Sequence, residues 1–181
     1  MENTEKRLIE GCLKKDRKVQ RQLYEQYKVA MFRLCLRYAK DRAEAEDLLQ
    51  DGFLKVFQDL SKYRGEGALG GWIRKVMINT ALQHLRRQKM AFPTVDVEKI
   101  AETHASEELI FSGLRTQTLT LMIQQLPPGY RTVFNLYVIE GYNHQEIADQ
   151  LGINVNTSKS QLSKAKAMLR SKLEKSMVSE P

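Results

Sequence analysis

The sequence predicts an all-α fold: two small helical domains joined by a linker, the C-terminal one a helix-turn-helix. Three observations predict it. Apolar residues recur at helical spacing over nearly the whole chain, no alternation of apolar and polar residues marks a strand pair, and the periodicity fades once, over residues 90–113. That stretch holds Pro93 and an acidic run of mixed polarity, a composition suited to an interdomain linker. The predicted organisation is therefore 1–89, 90–113 and 114–181, with the outer blocks large enough for modest cores.

A first short helix is predicted from Lys6 to Lys14, and a second from about Lys18 to Lys40 around Leu23, Tyr24, Tyr27, Met31, Phe32, Leu34 and Cys35. Asp41 offers an N-cap with Glu44 three residues on, a capping-box spacing, so a third helix runs from there to Leu60. On it Leu49, Phe53, Val56, Phe57 and Leu60 gather on one arc, and Asp47, Asp51, Leu54 and Gln58 take the other. A leucine set among acids is a candidate protein-docking patch. Four glycines between Ser61 and Gly71 predict a loop, after which a helix starts at Trp72 and ends near Arg87 to Lys89. Past the linker, whose one helical stretch is expected near Glu107 to Phe111, a helical block opens at about Leu114. Pro127-Pro128 breaks that block and starts a helix through Tyr130, Val133, Phe134, Tyr137 and Val138 that stops near Gly141. The β-branched residues there leave a strand as the alternative.

Composition sets bounds on function. With 42% apolar residues and four prolines, the 181-residue chain is not of disordered type, and its formal charge of +7 favours a polyanionic partner. The charge is uneven: residues 41–59 and 90–114 each carry a net of −4, whereas 159–175 carry +5, which points to more than one kind of partner surface. No run of 18 apolar residues occurs and the N-terminus lacks an apolar segment of signal-peptide length, so a cytoplasmic protein without membrane insertion is expected. Cys12 and Cys35 fall in helical apolar patterns and read as buried thiols, with no second pair for a disulfide framework or a four-cysteine zinc site. His84, His104 and His144 are scattered, without metal-ligand spacing or an obvious Ser or Cys partner. No metal and no cofactor are expected.

Two segments carry chemistry. In the Trp72 helix, Ile73, Val76, Met77, Thr80 and Ala81 fall on one side, the stripe a helix buries. Trp72, Lys75, Asn79, Gln83 and Arg86 fall on the other. They combine a flat ring for stacking, two cations for phosphates and two carboxamides able to donate to and accept from a base edge. A nucleic-acid surface is the sharper reading, and a solvated face with an accidental tryptophan the bland one. The second segment runs from His144 to Leu173. Ile147 and Leu151 make the buried side of one helix, small Ala148 lets a second cross closely, Gly152 takes the left-handed conformation at the turn, and Val155 plugs it. Asn156 is the expected N-cap of the second helix, with Leu162, Ala165, Leu169 and Leu173 inward and Thr157, Lys159, Ser160, Ser163 and Lys164 outward. Such a helix enters a major groove with its first turns on base edges and its cations on phosphates. A helical hairpin used only for protein contact is the alternative.

In combination, DLLQDGFLKVF at 47–57, YRGEGALGGWIRKVMINTALQHLRR at 63–87, LPPGYRTVFNLYVIEGY at 126–142 and the helix-turn-helix resemble the extracytoplasmic-function group of the sigma-70 family of bacterial RNA polymerase sigma factors. The resemblance covers about residues 18–176. It implies that 1–89 is sigma region 2, that 90–113 is a connector running through the polymerase toward the RNA exit path, and that 114–181 is sigma region 4. It implies a partner in core RNA polymerase, docked through Asp47, Gln50, Asp51, Leu54 and Lys55. It implies promoter DNA as ligand, with the −10 element opened and held by Arg64, Trp72, Lys75, Asn79, Gln83 and Arg86, and the −35 element read by Asn156, Thr157, Lys159, Ser160 and Lys164. It also implies an anti-sigma partner. The chain departs from the family pattern at Gly70 and Gly71, where a looser start to the Trp72 helix is expected. It departs again at Ser158, a hydroxyl on the otherwise apolar stripe of the recognition helix. A helix-turn-helix regulator that is not a polymerase subunit is the alternative function. A nuclease using the acids of 41–51 finds no histidine or cation arranged to activate water, so the expected protein is not an enzyme.

Overall fold

A computed structural model describes residues 2–87 and 116–178. The chain divides into two units, Met1–Gln88 and Lys89–Pro181. The stretch at 90–113, with its acidic run, and the helical turn expected near Glu107 to Phe111 lie outside the described residues.

In the first unit, α1 (Glu2–Leu13) and α2 (Arg17–Tyr38) form a hairpin. Lys15 takes a left-handed φ of 59° at the bend, and the Asp16 carboxylate accepts from the N–H of Lys18 at 2.8 Å and of Val19 at 3.4 Å. α3 (Arg42–Asp59) starts at the expected cap, with Asp41 Oδ1 accepting from Glu44 N–H at 2.9 Å. The reciprocal arm differs from a capping box: Glu44 Oε2 accepts from Lys40 N–H at 2.6 Å, one residue further back. A short 3₁₀ turn (Leu60–Lys62) closes that helix, and α4 (Leu69–Arg87) follows the glycine loop. Leu23, Leu34, Tyr38, Ala45, Phe53, Val56, Leu69, Ile73 and Met77 meet as the core of α2, α3 and α4. Both cysteines are buried free thiols, and burial pushes Cys35 up to about 12, which keeps it an inert apolar side chain.

In the second unit, α5 (Thr116–Gln124) precedes α6 (Pro128–Phe134), where Pro128 occupies the first turn that tolerates its missing donor. α6 runs into a π-helical turn (Asn135–Ile139), so the β-branched segment is helical and not a strand. Gly141, at φ 79°, ends it. α7 (His144–Leu151) and α8 (Val155–Val178) follow. Ile123, Val133, Phe134, Leu136, Ile147, Leu162, Ala165, Leu169 and Leu173 are buried between these helices. Lys172 Nζ donates to Gln125 Oε1 at 2.6 Å, tying the far half of α8 to the end of α5. Among the described residues, no helix is long and apolar enough to cross a membrane and no metal-ligating cluster occurs.

Candidate nucleic-acid interface and docking face

α4 begins three residues before the expected Trp72. Gly70 and Gly71 lie inside its first turn, closed by hydrogen bonds from Gly71 N–H (3.0 Å) and Trp72 N–H (3.3 Å) to the Ala68 carbonyl. The start is therefore not loose. Gly70 has a packing reason to lack a side chain, because a Cβ there would stand 3.0 Å from Tyr27 Cε1; Gly71 faces open space. The buried stripe is also wider than the sequence reading: Leu69, Ile78, Leu82 and Leu85 are buried with Ile73, Met77 and Ala81, while Val76 and Thr80 are only half-buried.

The opposite face is exposed along most of its length. Lys75, Asn79, Gln83 and Arg86 are exposed along α4, and Arg64 is exposed in the preceding loop. Trp72 is half-buried because Tyr63 packs against it, with ring centroids 5.7 Å apart at 54°. Tyr63 Oη in turn donates to the Gly67 carbonyl at 2.6 Å, holding a loop whose Gly65 and Gly67 have φ of 77° and 83°. One contact at this site was invisible to helical spacing. His84 Nε2, in the last turn of α4, lies 3.2 Å from the buried Glu44 Oε1 at the start of α3, so the end of the Trp72 helix is tied to its neighbour.

On α3, Asp47, Gln50 and Asp51 are exposed and Leu54 keeps 60% of its surface, all opposite buried Leu49, Phe53 and Val56. Lys55 differs from the rest of the candidate set, being half-buried with its Nζ 2.9 Å from Asp59 Oδ2. Hydrogen bonds from Lys62 and then Lys55 hold the Asp59 carboxyl below the usual carboxylate range.

The helix-turn-helix has the expected left-handed glycine at its turn, but its caps differ from those expected. Asn143 Oδ1 accepts from Glu146 N–H (2.9 Å) and Glu146 Oε2 accepts from Asn143 N–H (2.7 Å), a capping box the sequence reading missed although N-H-Q-E spells it. Gly152 ends α7 in the left-handed region, at φ 67° and ψ 37°. The cap of α8 is Asn154 and not Asn156: Asn154 Oδ1 accepts from Asn156 N–H at 2.8 Å, and the Asn154 carbonyl from Ser158 N–H at 3.1 Å. Val155 accordingly opens the helix and is only half-buried. Asn156, Lys159, Ser163 and Lys164 are exposed and Thr157 half-buried.

Ser160 is a correction. It stands opposite the apolar stripe in helical phase, yet only 8% of its surface is accessible. It is therefore not the outward-reaching group expected. Ser158, the hydroxyl on the apolar stripe, is fully buried and has a partner in His144 Nδ1 at 2.9 Å. His144 therefore does have a serine beside it, 14 residues along the chain.

The Sigma-70 region 2 family matches residues 23–90, and Sigma-70, region 4 matches 116–169. The RNA polymerase sigma-H factor of Pseudomonas aeruginosa is 27% identical over 173 residues, covering 90% of this chain and 90% of that protein. The ECF RNA polymerase sigma factor SigE of Mycolicibacterium smegmatis is 28% identical over 158 residues, covering 85% of this chain; the chain spans 61% of that relative's length. Among solved structures, the sigma factor RpoE of Bartonella quintana, in complex with the anti-sigma factor NepR, matches with a TM-score of 0.52 at 21% identity, over 86% of this chain and 96% of that one.

Proposed function

Because this chain belongs to the extracytoplasmic-function group of the sigma-70 family, we propose that it directs core RNA polymerase to specific promoters by reading two elements with two units. The observation that carries the reading is the exposed row Lys75, Asn79, Gln83 and Arg86 beside Trp72, on the helix that ends the region 2 match. Trp72 offers a stacking plane for an unpaired −10 base, the carboxamides pair with base edges, and Arg64, Lys75 and Arg86 meet phosphates. Duplex −35 contacts from Asn156, Thr157, Lys159 and Lys164 set the register. Binding energy gained on single-stranded −10 bases offsets the cost of unpairing them, so no bond-making chemistry is asked of the chain.

The acidic face of α3, with Asp47, Gln50, Asp51 and Leu54, is the surface offered to core polymerase. Lys55, held by Asp59, shapes that face more than it reaches out. An anti-sigma protein is an expected partner; the Bartonella sigma factor is seen in complex with one. The cytoplasm, where polymerase works, is the expected compartment.

Run-off transcription with purified core polymerase and a randomised promoter library tests this reading. Initiation at defined sites only when the protein is added is expected. Tight duplex binding without polymerase, and no dependence of initiation on the protein, would instead indicate a free-standing regulator. In fragments, 1–89 is expected to bind polymerase and single-stranded −10 DNA, and 114–181 duplex −35 DNA, weakly and with strong salt dependence.

A further inference from the structure

We propose that His144 is a positioning residue for −35 recognition: without touching a base, it fixes the rotation and axial position of α8 from which the exposed residues of that helix meet DNA. This deepens, and rests on, the reading of the second unit as the −35 reader. The ring stands on a backbone already fixed by the Asn143–Glu146 capping box, as the first residue of α7. Its Nδ1 lies 2.9 Å from Ser158 Oγ, a fully buried hydroxyl in the first turn of α8. Its face stacks on Tyr137 of the π-helical turn, with centroids 4.5 Å apart at 25°. Tyr137 carries Lys166 Nζ over its ring at 5.9 Å. Lys166 is two turns beyond Ser158, roughly 12 Å along the helix axis. Two rings stacked on each other thus hold α8 at two levels.

The apolar stripe alone would not fix this pose. Burial of Leu162, Ala165 and Leu169 is non-directional and changes little if the helix turns slightly, whereas a hydrogen bond demands a distance and an angle. A turn of about 20° moves an outer side-chain tip by roughly 2 Å, at a radius of about 5–6 Å, enough to remove a base contact. Burial first, and then the charges of Lys159 and Lys166, hold the His144 pKa below its ordinary value, so the ring is neutral in its place between α8 and Tyr137.

The experiment uses holoenzyme assembled from the full chain and core polymerase, with a duplex library randomised across the −35 element and read at two salt concentrations well below each variant's melting temperature. His144→Phe keeps the ring and loses the hydrogen bond, Ser158→Ala removes the partner, and His144→Asn returns a polar group near Nδ1. Phe and Ala variants are each expected to lose selectivity between preferred and scrambled −35 sequences by about tenfold, the scale of one base pair's discrimination, with the parental salt slope. The double variant loses no more than either single one, and Asn recovers most of the selectivity. Parental base preference in both single variants, with only a lower melting temperature, would reduce His144 to packing and overturn the proposal. Additive losses in the double variant would overturn it too, since the effect would not run through the bond. A parental holoenzyme without any −35 preference removes the sigma reading itself, and is recognised without any variant.

Discussion

Replacing Gly52 by alanine probes how closely α3 and α4 cross. Gly52 is buried in the middle of α3, and a Cβ there would sit well inside van der Waals contact of Met77 Sδ and 3.0 Å from its Cε. Alanine gains about 1 kcal/mol of helix propensity over glycine. Against this, Met77 is only 1% exposed, so its thioether has no solvent to turn into and must displace core neighbours. Overpacking of this kind costs about 1–3 kcal/mol, here about 2, since methionine is adaptable but Met77 is enclosed on all sides. The net loss is roughly 1 kcal/mol, which lowers the melting temperature of a unit this size by about 4–8 °C. Thermal melting of the full chain, with the second unit's transition as internal control, measures it. Because α3 carries the proposed docking face and α4 the proposed DNA face, wedging them apart is also expected to slow promoter opening more than it weakens polymerase binding. A rise in melting temperature would refute the reasoning, since propensity alone would then decide and the helices would not meet at Gly52.

Asp51→Lys combined with Leu54→Ala is expected to weaken core-polymerase binding at unchanged helicity; unaltered affinity in a pull-down would remove the docking face. Asn79→Ala should flatten preference at one −10 position, since a good bidentate pair discriminates by about 1–3 kcal/mol, whereas Lys164→Ala should weaken all promoters alike and lower the salt slope by about one phosphate contact. A transcribed promoter library at two salt concentrations distinguishes them, and parental preferences at every −10 position in Asn79→Ala would end its role as a reader. Ser158→Val is expected to lower the second unit's melting temperature, because the lost hydrogen bond and stranded Nδ1 of His144 cost about 1–3 kcal/mol against roughly 1 kcal/mol gained from apolar burial. Finally, the pKa of His144 is lowered from an ordinary 6.5 by burial and then by Lys159 and Lys166, so near that pH the folded unit binds fewer protons than the unfolded chain. Its stability is full above the unfolded value and falls as pH drops through it toward the folded one; His144→Phe should flatten that slope in pH-dependent melts, and a parental unit that gains stability on acidification would contradict it.

The architecture was legible wherever burial follows helical period. The stripes of α3 and α8 and the exposed row on α4 all follow from 100° per residue, because apolar burial needs only the right face and not a particular partner. Boundaries were less legible. Gly70 and Gly71 read as loop by propensity, yet both lie in the first turn of α4, where Gly70 leaves room for Tyr27. The cap of α8 slipped by two residues because Asn154 and Asn156 are equally good caps by type.

What helical period cannot convey is pairing between polar groups on different helices. Glu44 meets His84 across 40 residues and His144 meets Ser158 across 14, and none of the four announces its partner. Yet these contacts sit where orientation matters, one at the end of the helix bearing Trp72 and Asn79, the other at the start of the helix bearing Asn156 and Lys159. Hydrophobic stripes bring each pair of helices together, but a stripe tolerates rotation and sliding that a base edge does not. A buried hydrogen bond penalises such movement, because separating the partners leaves a desolvated polar group. A serine on an apolar stripe thus reads as a defect while its helix is considered alone. Set against His144 it becomes, on the proposal above, a constraint on the pose of the reading helix, so the departure at Ser158 bears on recognition as well as on stability.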